Sequence, residues 1–438
     1  MNQSTTVFCV LLISSHVASA TDNWPSFQNG GKIVVESNNL PLQWNPQDGV
    51  TWSVELEGYG QSTPVVWGDH VYVTSCSGEM KDNLHIRALE LTAGEKVWDV
   101  KLANSSREKN SNYVSRAAPT PVADAHGIIA FFEGGNVIAL KHDGSTRWQR
   151  DLVQDYGPVA ARHGLASSLE QNDHHVFVWV ERSDSPYVLA IEKNTGKTLW
   201  KSAGVGKTAW SSPRLVPVGD SKHLVLSASG RIIGMDPNTG EHLWSFEDVA
   251  NNTVATPIPL GDGRFLVGAS EGRGEQPTAG AVKSNGLVKI TKEAGGGFKA
   301  AYQWRAAKAT SSFGSPIVVG TNAYFVSRAG VVYCLDAATG QQHYAKRSSG
   351  SVWATPLQVG NRIYLFGRNG TTTVISGSDE FKILATNSLW NEEKKPARSD
   401  DQPASPGMSF GGPVLYAAVV VDDSLLMRRG DRIYCVRN

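Results

Sequence analysis

Glu192-Lys193-Asn194-Thr195-Gly196-Lys197-Thr198-Leu199-Trp200 follows an apolar run, Tyr187 to Ile191. The run reads as a strand, the Thr-Gly pair as the turn that reverses it, and the stretch through Trp200 as the strand that leaves. Glycine suits a turn position of positive φ, and an Asp or Asn before it can hydrogen-bond its own turn. The hairpin recurs at 236–244, 336–344 and 90–98, with a shortened copy at 141–148.

A second signal lies upstream of each hairpin: a small hydroxyl residue, usually followed by proline, then an apolar strand. The copies are Thr63-Pro64, Thr120-Pro121, Ser212-Pro213, Thr256-Pro257, Ser315-Pro316 and Thr355-Pro356, with Ser167-Ser168 and Gly412-Pro413 as degenerate members. Proline lacks an N–H and fits the first residue of a strand better than its middle. Aromatic markers fall at Trp44, Trp98, Trp148, Trp200, Trp244, Trp304 and Tyr344. Two signals in constant order, at a spacing of about 40 to 60 residues, predict eight repeated units of four short strands. The expected fold is an all-β, eight-bladed β-propeller of four-stranded antiparallel blades, with those seven aromatics docked between blades, where a large flat ring suits burial.

The chain ends on a strand, Arg432-Ile433-Tyr434-Cys435-Val436, with no hairpin partner after it. Leu40-Pro41-Leu42-Gln43-Trp44 reads as a closing strand without its own blade, so the N-terminal strand is expected to complete the last blade and close the ring. Residues 22–42, rich in Gly and Asn, are expected to wrap the surface. Two units depart from the pattern, the fifth with a Gly-rich insert at 271–280 and the eighth with a polar, Pro-containing loop at 391–406.

Residues 1–20 read as a secretory signal, with an apolar core from Val7 to Ser14 and small residues at Ala18-Ser19-Ala20 for cleavage near Ala20. Residues 21–438 then form a single propeller domain, secreted or periplasmic, and no later stretch is apolar enough to span a membrane. Lys+Arg and Asp+Glu both number 41, so nothing in the charge points to nucleic acid or anionic lipid. Cys76, Cys334 and Cys435 read as small core residues, and a monomer is expected. His174-His175 cannot easily chelate one ion, because neighbours on a strand face opposite ways.

The repeated [Asp/Glu]-x-x-Thr-Gly-x-x-x-Trp hairpin resembles the tryptophan-docking motif of the quinoprotein-like (PQQ-binding-like) propeller repeat family. The opening Asn23-Trp24-Pro25-Ser26-Phe27-Gln28 is similar to the start of its secreted bacterial members, and the resemblance spans Trp24 to Val436. The outer-membrane assembly factor BamB shares this architecture. PQQ-dependent dehydrogenases of the family carry an adjacent Cys-Cys pair, Ca²⁺ ligands and a catalytic Asp. This chain has no adjacent cysteines and no Cys-x-x-Cys-His, and no Ca²⁺-holding set can be matched. The resemblance implies a secreted, non-catalytic scaffold or envelope assembly factor that binds a protein or peptide partner, with no catalytic residue, metal or cofactor. The alternative is an oxidoreductase-like protein holding PQQ with Ca²⁺, or another small ligand, in the central funnel.

The hydroxyl-Pro strand of each unit is expected to line the central channel. Counting back from the proline position gives a mouth of Tyr59, Arg116, His163, Trp210, Phe313, Trp353 and Phe410. These residues either form a ligand or peptide funnel or pack together and plug the channel.

Overall fold

The structure is a computed structural model and describes residues 23–35, 40–111, 114–159, 161, 163–182, 185–206, 210–228, 230–271, 283–391 and 413–438. The expected signal segment, Phe410, and most of the inserts at 271–280 and 391–406 lie outside the described residues.

Eight antiparallel sheets follow one another along the chain, seven of four strands and one of five. The first blade is Val65–Trp67, His70–Ser77, Asn83–Glu90 and Lys96–Ala103. The pattern repeats through the seventh blade, Leu357–Val359, Arg362–Phe366, Thr371–Ser376 and Ile383–Ser388. The second and third strands are almost wholly buried, as in Gly127–Phe131 and Asn136–Leu140, whereas fourth strands such as Thr198–Ala203 alternate between half-buried and exposed. That gradient is expected of sheets packed face to face and radiating from an axis.

The eighth blade is Leu415–Val421, Ser424–Arg429 and Arg432–Val436, and its fourth strand is Val50–Glu55 from the N-terminal side. An N-terminal strand therefore closes the ring, but it is not residues 40–44. Trp52 pairs opposite Cys435, whereas Trp44 stacks on Tyr364 at 6.4 Å and donates its backbone N–H to Asn387 Oδ1, 3.1 Å, on the seventh blade. Pro41 within 40–44 has no N–H for a ladder, while Val50–Glu55 offers one at every residue. Trp44 is thus a flank residue, and the aromatic of the last blade is Trp52.

The Thr-Gly turns act between blades. Each indole N–H donates to a carbonyl in the corresponding turn of the next blade: Trp52 to Leu91 (3.1 Å), Trp98 to His142 (2.8 Å), Trp148 to Lys193 (2.8 Å), Trp200 to Pro237 (3.1 Å) and Trp304 to Ala337 (2.9 Å). The turn glycine lies on the ring face. A Cβ at Gly240, where φ is +76°, would fall 2.7 Å from the Trp200 ring. Trp244 differs, because the fifth blade has Glu293-Ala294-Gly295-Gly296-Gly297 where the turn would be; its N–H stays in its own blade, on His223 Nδ1 at 3.0 Å. Trp98, Trp148 and Trp200 are half-buried, not fully buried as the docking reading requires, because their strands form the outer rim. Tyr344 is buried against Phe381, 5.5 Å ring to ring.

Across the sheet from most markers stands a small residue: Ala88 opposite Trp98, Ala139 opposite Trp148, Ala190 opposite Trp200, Gly234 opposite Trp244, Cys334 opposite Tyr344 and Cys435 opposite Trp52, whereas Trp304 faces Leu287. The two cysteines occupy this small-residue position in different blades. All three described cysteines are free and buried.

Candidate binding funnel

The first strands of neighbouring blades face one another around the axis, and the hydroxyl-Pro positions stitch them together. The backbone N–H of Thr63 donates to the Thr120 hydroxyl (3.0 Å), Thr120 N–H to Ser168 (3.0 Å), Ser168 N–H to Ser212 (2.9 Å) and Ser212 N–H to Thr256 (2.9 Å). Ser315 N–H donates to Thr355 at 3.1 Å, and the Ser315 hydroxyl to the Thr256 carbonyl at 2.9 Å. The hydroxyl supplies an acceptor to an N–H that a strand start would otherwise leave buried and unpaired.

Beyond this hydroxyl ring, in the direction the first strands run, the N-terminal segment crosses the channel. Trp24 exchanges two backbone bonds with Val66 (2.9 and 3.0 Å), and the Pro25 carbonyl accepts from Ala123 N–H at 2.8 Å. Gln28 sits at the centre. Its Nε2 donates to the Ser315 and Thr355 hydroxyls at 2.9 and 2.8 Å, and its Oε1 accepts from Arg214 Nη2 at 3.0 Å. Arg214, only 1% exposed, is ion-paired to Glu170 Oε2 at 3.1 Å. Burial pushes the Glu170 carboxyl up and the Arg214 guanidinium down. Val34–Val35 then adds to the seventh blade as a parallel fifth strand. Residues 24–35 therefore do not wrap the surface as the composition suggested. They close one end of the channel, with Trp24, Gln28 and Ile33 buried.

The sequence-derived mouth residues lie on the opposite side of the hydroxyl ring. Arg116 stacks its guanidinium on Tyr59, 3.5 Å from the ring centroid, and the Tyr59 hydroxyl is 2.9 Å from that of Tyr416 on the eighth blade. His163 and Trp210, from adjacent blades, are 5.8 Å apart ring to ring. Phe313 and Trp353 pack at 4.7 Å, and Arg368 lies over Trp353 at 5.1 Å. All six described members are half-buried. They form three separate groups around the rim. Phe410 is outside the described residues. Tyr416 and Arg368 were missed by counting back from the prolines, because Tyr416 follows Pro413 and Arg368 lies in the turn after a second strand.

Two buried charged groups underlie this rim. Arg428 is 0% exposed and donates only to carbonyls, those of Gly60 (3.2 Å), Thr74 (3.0 Å) and Gly430 (3.2 Å). Burial lowers its pKa to about 10, so it stays charged at neutral pH. Glu133 accepts the Ala117 N–H at 2.9 Å and lies 3.6 Å from Lys81 Nζ. Burial raises the Glu133 carboxyl, with Lys81 opposing. Ala117 and Lys81 both take the left-handed conformation, with φ of +44° and +51°, a strain that persists only where surrounding contacts enforce it.

For a quinone held with Ca²⁺ the site would need converging carboxylate and amide oxygens beside the aromatics. At the described mouth one oxygen of the Glu133 carboxylate accepts the Ala117 N–H and lies 3.6 Å from Lys81 Nζ. Among the described residues a trio of ligand-bearing side chains, Glu57, His85 and Asp99, has ligand atoms within 4.8 Å of one another. It lies on the flank of the first blade, where Arg87 already binds Asp99 and Lys101 lies 3.8 Å from Glu57. Among the described residues, no helix is long and apolar enough to cross a membrane.

A family model described as outer membrane protein assembly factor BamB matches residues 14–167, 184–279 and 284–432. Among curated proteins, the outer membrane protein assembly factor BamB of Moranella endobia (strain PCIT) is 23% identical over 272 residues, covering 58% of this chain and 61% of that relative. The protein of the same description from Shewanella oneidensis is 26% identical over 237 residues, covering 52% of this chain and 53% of that relative. The chain thus spans roughly half to three fifths of the length of these relatives. The crystal structure of BamB from Moraxella catarrhalis superposes with a TM-score of 0.59 at 14% identity, over 89% of this chain and 99% of that one. A europium-containing methanol dehydrogenase superposes almost as well, TM-score 0.57 at 14% identity, over 84% and 85%. At such identity both structures speak to the fold alone, and it is the family match across most of the sequence that assigns this eight-bladed propeller to the outer membrane protein assembly factor BamB family.

Proposed function

We propose that this chain is a non-catalytic, exported propeller that holds a polypeptide partner at the funnel mouth, as a scaffold or assembly factor of the cell envelope. The observation that carries the reading is the asymmetry of the channel. One end is closed by the protein's own residues 24–35, and the other presents half-buried aromatics and arginines on a rigid ring. Tyr, Trp and Arg are the side chains that most often anchor protein interfaces. The family relationship supports an envelope role, since the relatives are described as outer membrane protein assembly factors.

The test is site-specific photo-crosslinking in the native host. A photoreactive phenylalanine analogue replaces Trp353 at the mouth or, in a second strain, Lys197 on the Thr-Gly turn face. Polypeptide adducts at 353 but not at 197 are expected. Adducts at 197 alone, or at neither position, would overturn the reading.

A further inference from the structure

We propose that the closed end of the channel is a preformed polypeptide-binding site, and that residues 23–35 are its tethered ligand rather than part of its framework. The ligand it takes is an extended segment with a buried aromatic, a carboxamide side chain, a glycine pair and an aliphatic residue, in the order and spacing of Trp24, Gln28, Gly30-Gly31 and Ile33. A partner carrying the same pattern competes with the resident segment for this end.

The blades offer the backbone half of such a site. The first strand of each blade has a neighbour from its own blade on one side only, so its inner edge faces the channel with main-chain groups to pair. Residues 24–35 use three of these edges. Trp24 exchanges two bonds with Val66 on the first blade, and the Pro25 carbonyl accepts from Ala123 on the second. The carbonyls of Ile33 and Val35 accept from Gln358 and Gly360 on the seventh, at 3.3 and 2.9 Å. Main-chain bonds to a strand edge, with pockets for selected side chains, are how folded proteins take up extended peptides.

The pockets supply the other half. Trp24 and Ile33 are buried, and the Asn23 Oδ1 accepts the Gly68 N–H at 2.8 Å. The Gln28 amide reaches three blades at once, through Arg214 on the fourth, Ser315 on the sixth and Thr355 on the seventh. Gly31 has φ of +92°, and a Cβ there would fall 2.5 Å from Pro259 Cδ on the fifth blade and 3.6 Å from Arg214 Cδ. Glycine is therefore required at that position.

The ring is fastened by other means. The hydroxyl bonds from Thr63 to Thr120, Ser168, Ser212 and Thr256, and from Ser315 to Thr355, run directly from blade to blade. Closure belongs to Val50–Glu55. Arg214 and Glu170 hold each other at 3.1 Å, and burial disfavours the charge on both. With the segment withdrawn, water reaches the pair and that penalty is relieved. The site thus keeps its shape when empty.

The test uses two proteins: the full chain with a site-specific protease sequence in place of residues 36–39, cut after folding, and a variant beginning at Leu40. Each is titrated with a fluorescein-labelled peptide of residues 23–35, read by fluorescence anisotropy. The Leu40 variant is expected to melt in a single transition and to bind the peptide saturably. The cut chain should exchange its own segment for the label, and the uncut chain should exclude it. Gln28→Ala in the peptide should weaken binding about ten- to a hundredfold, the size of lost hydrogen bonds that include one to a charged group, and Gly31→Ala at least as much. Unfolding of the cut chain as its segment leaves would make the segment framework and overturn the proposal. So would a folded Leu40 variant that binds no peptide, or a Gln28→Ala peptide that binds as tightly as the natural one. The mouth, tested by crosslinking at position 353, stands or falls separately.

Discussion

Thr63 donates its backbone N–H to the hydroxyl of Thr120, one blade on, at 3.0 Å, and Thr120 passes the same bond to Ser168. From Thr120 to Thr355 the hydroxyl before the proline is thus a blade-to-blade fastener as well as a strand marker. Thr120→Val keeps the shape and removes the acceptor, leaving the Thr63 N–H buried and unpaired. It should cost about 1–3 kcal/mol, with Thr120→Ser near neutral, as read by chemical denaturation.

Gly240 should not tolerate a side chain. Its φ of +76° strains any L-residue, and a Cβ would press on Trp200 at 2.7 Å. Gly240→Ala is expected to cost about 2–4 kcal/mol, the left-handed penalty plus overpacking. In a Trp200→Ala background only the backbone part, about 1–2 kcal/mol, should remain. An unchanged cost in that background would mean the ring and the turn do not press on each other.

Loss of the Trp244 contact should be pH-dependent. Burial holds the His223 imidazole below its usual value, and its Nδ1 accepts the Trp244 N–H. Above about pH 6.5 the ring is neutral in both folded and unfolded chains, and the contribution is complete. As pH falls below that, the unfolded chain takes up the proton first, so stability declines until the folded-state value is passed. Melting temperatures at pH 7.5 and pH 5 should therefore differ more for wild type than for His223→Asn, which cannot titrate. His70 and His175 are shifted the same way by burial, so the variant should retain some acid sensitivity.

The channel closure hangs on Gln28. Its φ is +54°, a conformation glycine accepts without strain. Gln28→Ala keeps the strain and loses the bonds to Ser315, Thr355 and Arg214, a cost of about 2–4 kcal/mol. Gln28→Gly should cost less. Limited proteolysis should cut both variants within 23–35 earlier than wild type. Arg214→Met should be worse than either, about 3–5 kcal/mol, because it leaves Glu170 buried without its partner.

What the sequence made legible was whatever repeats. The Thr-Gly turn, the hydroxyl-Pro start and the aromatic marker each do the same physical job in blade after blade, so their spacing carried the fold. The errors fell on single-copy features. Trp44 resembles a marker because no turn rule constrains it, whereas Asp48-Gly49-Val50-Thr51-Trp52 is one residue short of the repeated Gly-to-Trp spacing and so does not match the repeat. The cross-strand rule would have found it, since Cys435 matches Cys334 and so calls for an aromatic partner. Residues 24–35 were misjudged because Gly and Asn content suggested surface, while the left-handed run Gln28-Asn29-Gly30 is what lets the chain turn inside a narrow channel. Arg428 and Glu133 carry no mark in the sequence, because Thr74 and Lys81, which fix them, come from another blade.

The pairing of Val50–Glu55 with Arg432–Val436 sets a timetable for making the protein. Val50–Glu55 leaves the ribosome early and must wait, unpaired along one edge, until Arg432–Val436 has been synthesised. The segment that bars the channel cannot seat before the sixth and seventh blades exist to receive Gln28 and Val34–Val35. Completion of the ring is therefore a late event that couples the first blade to the last, and a chain truncated at either end should leave the same blade unfinished.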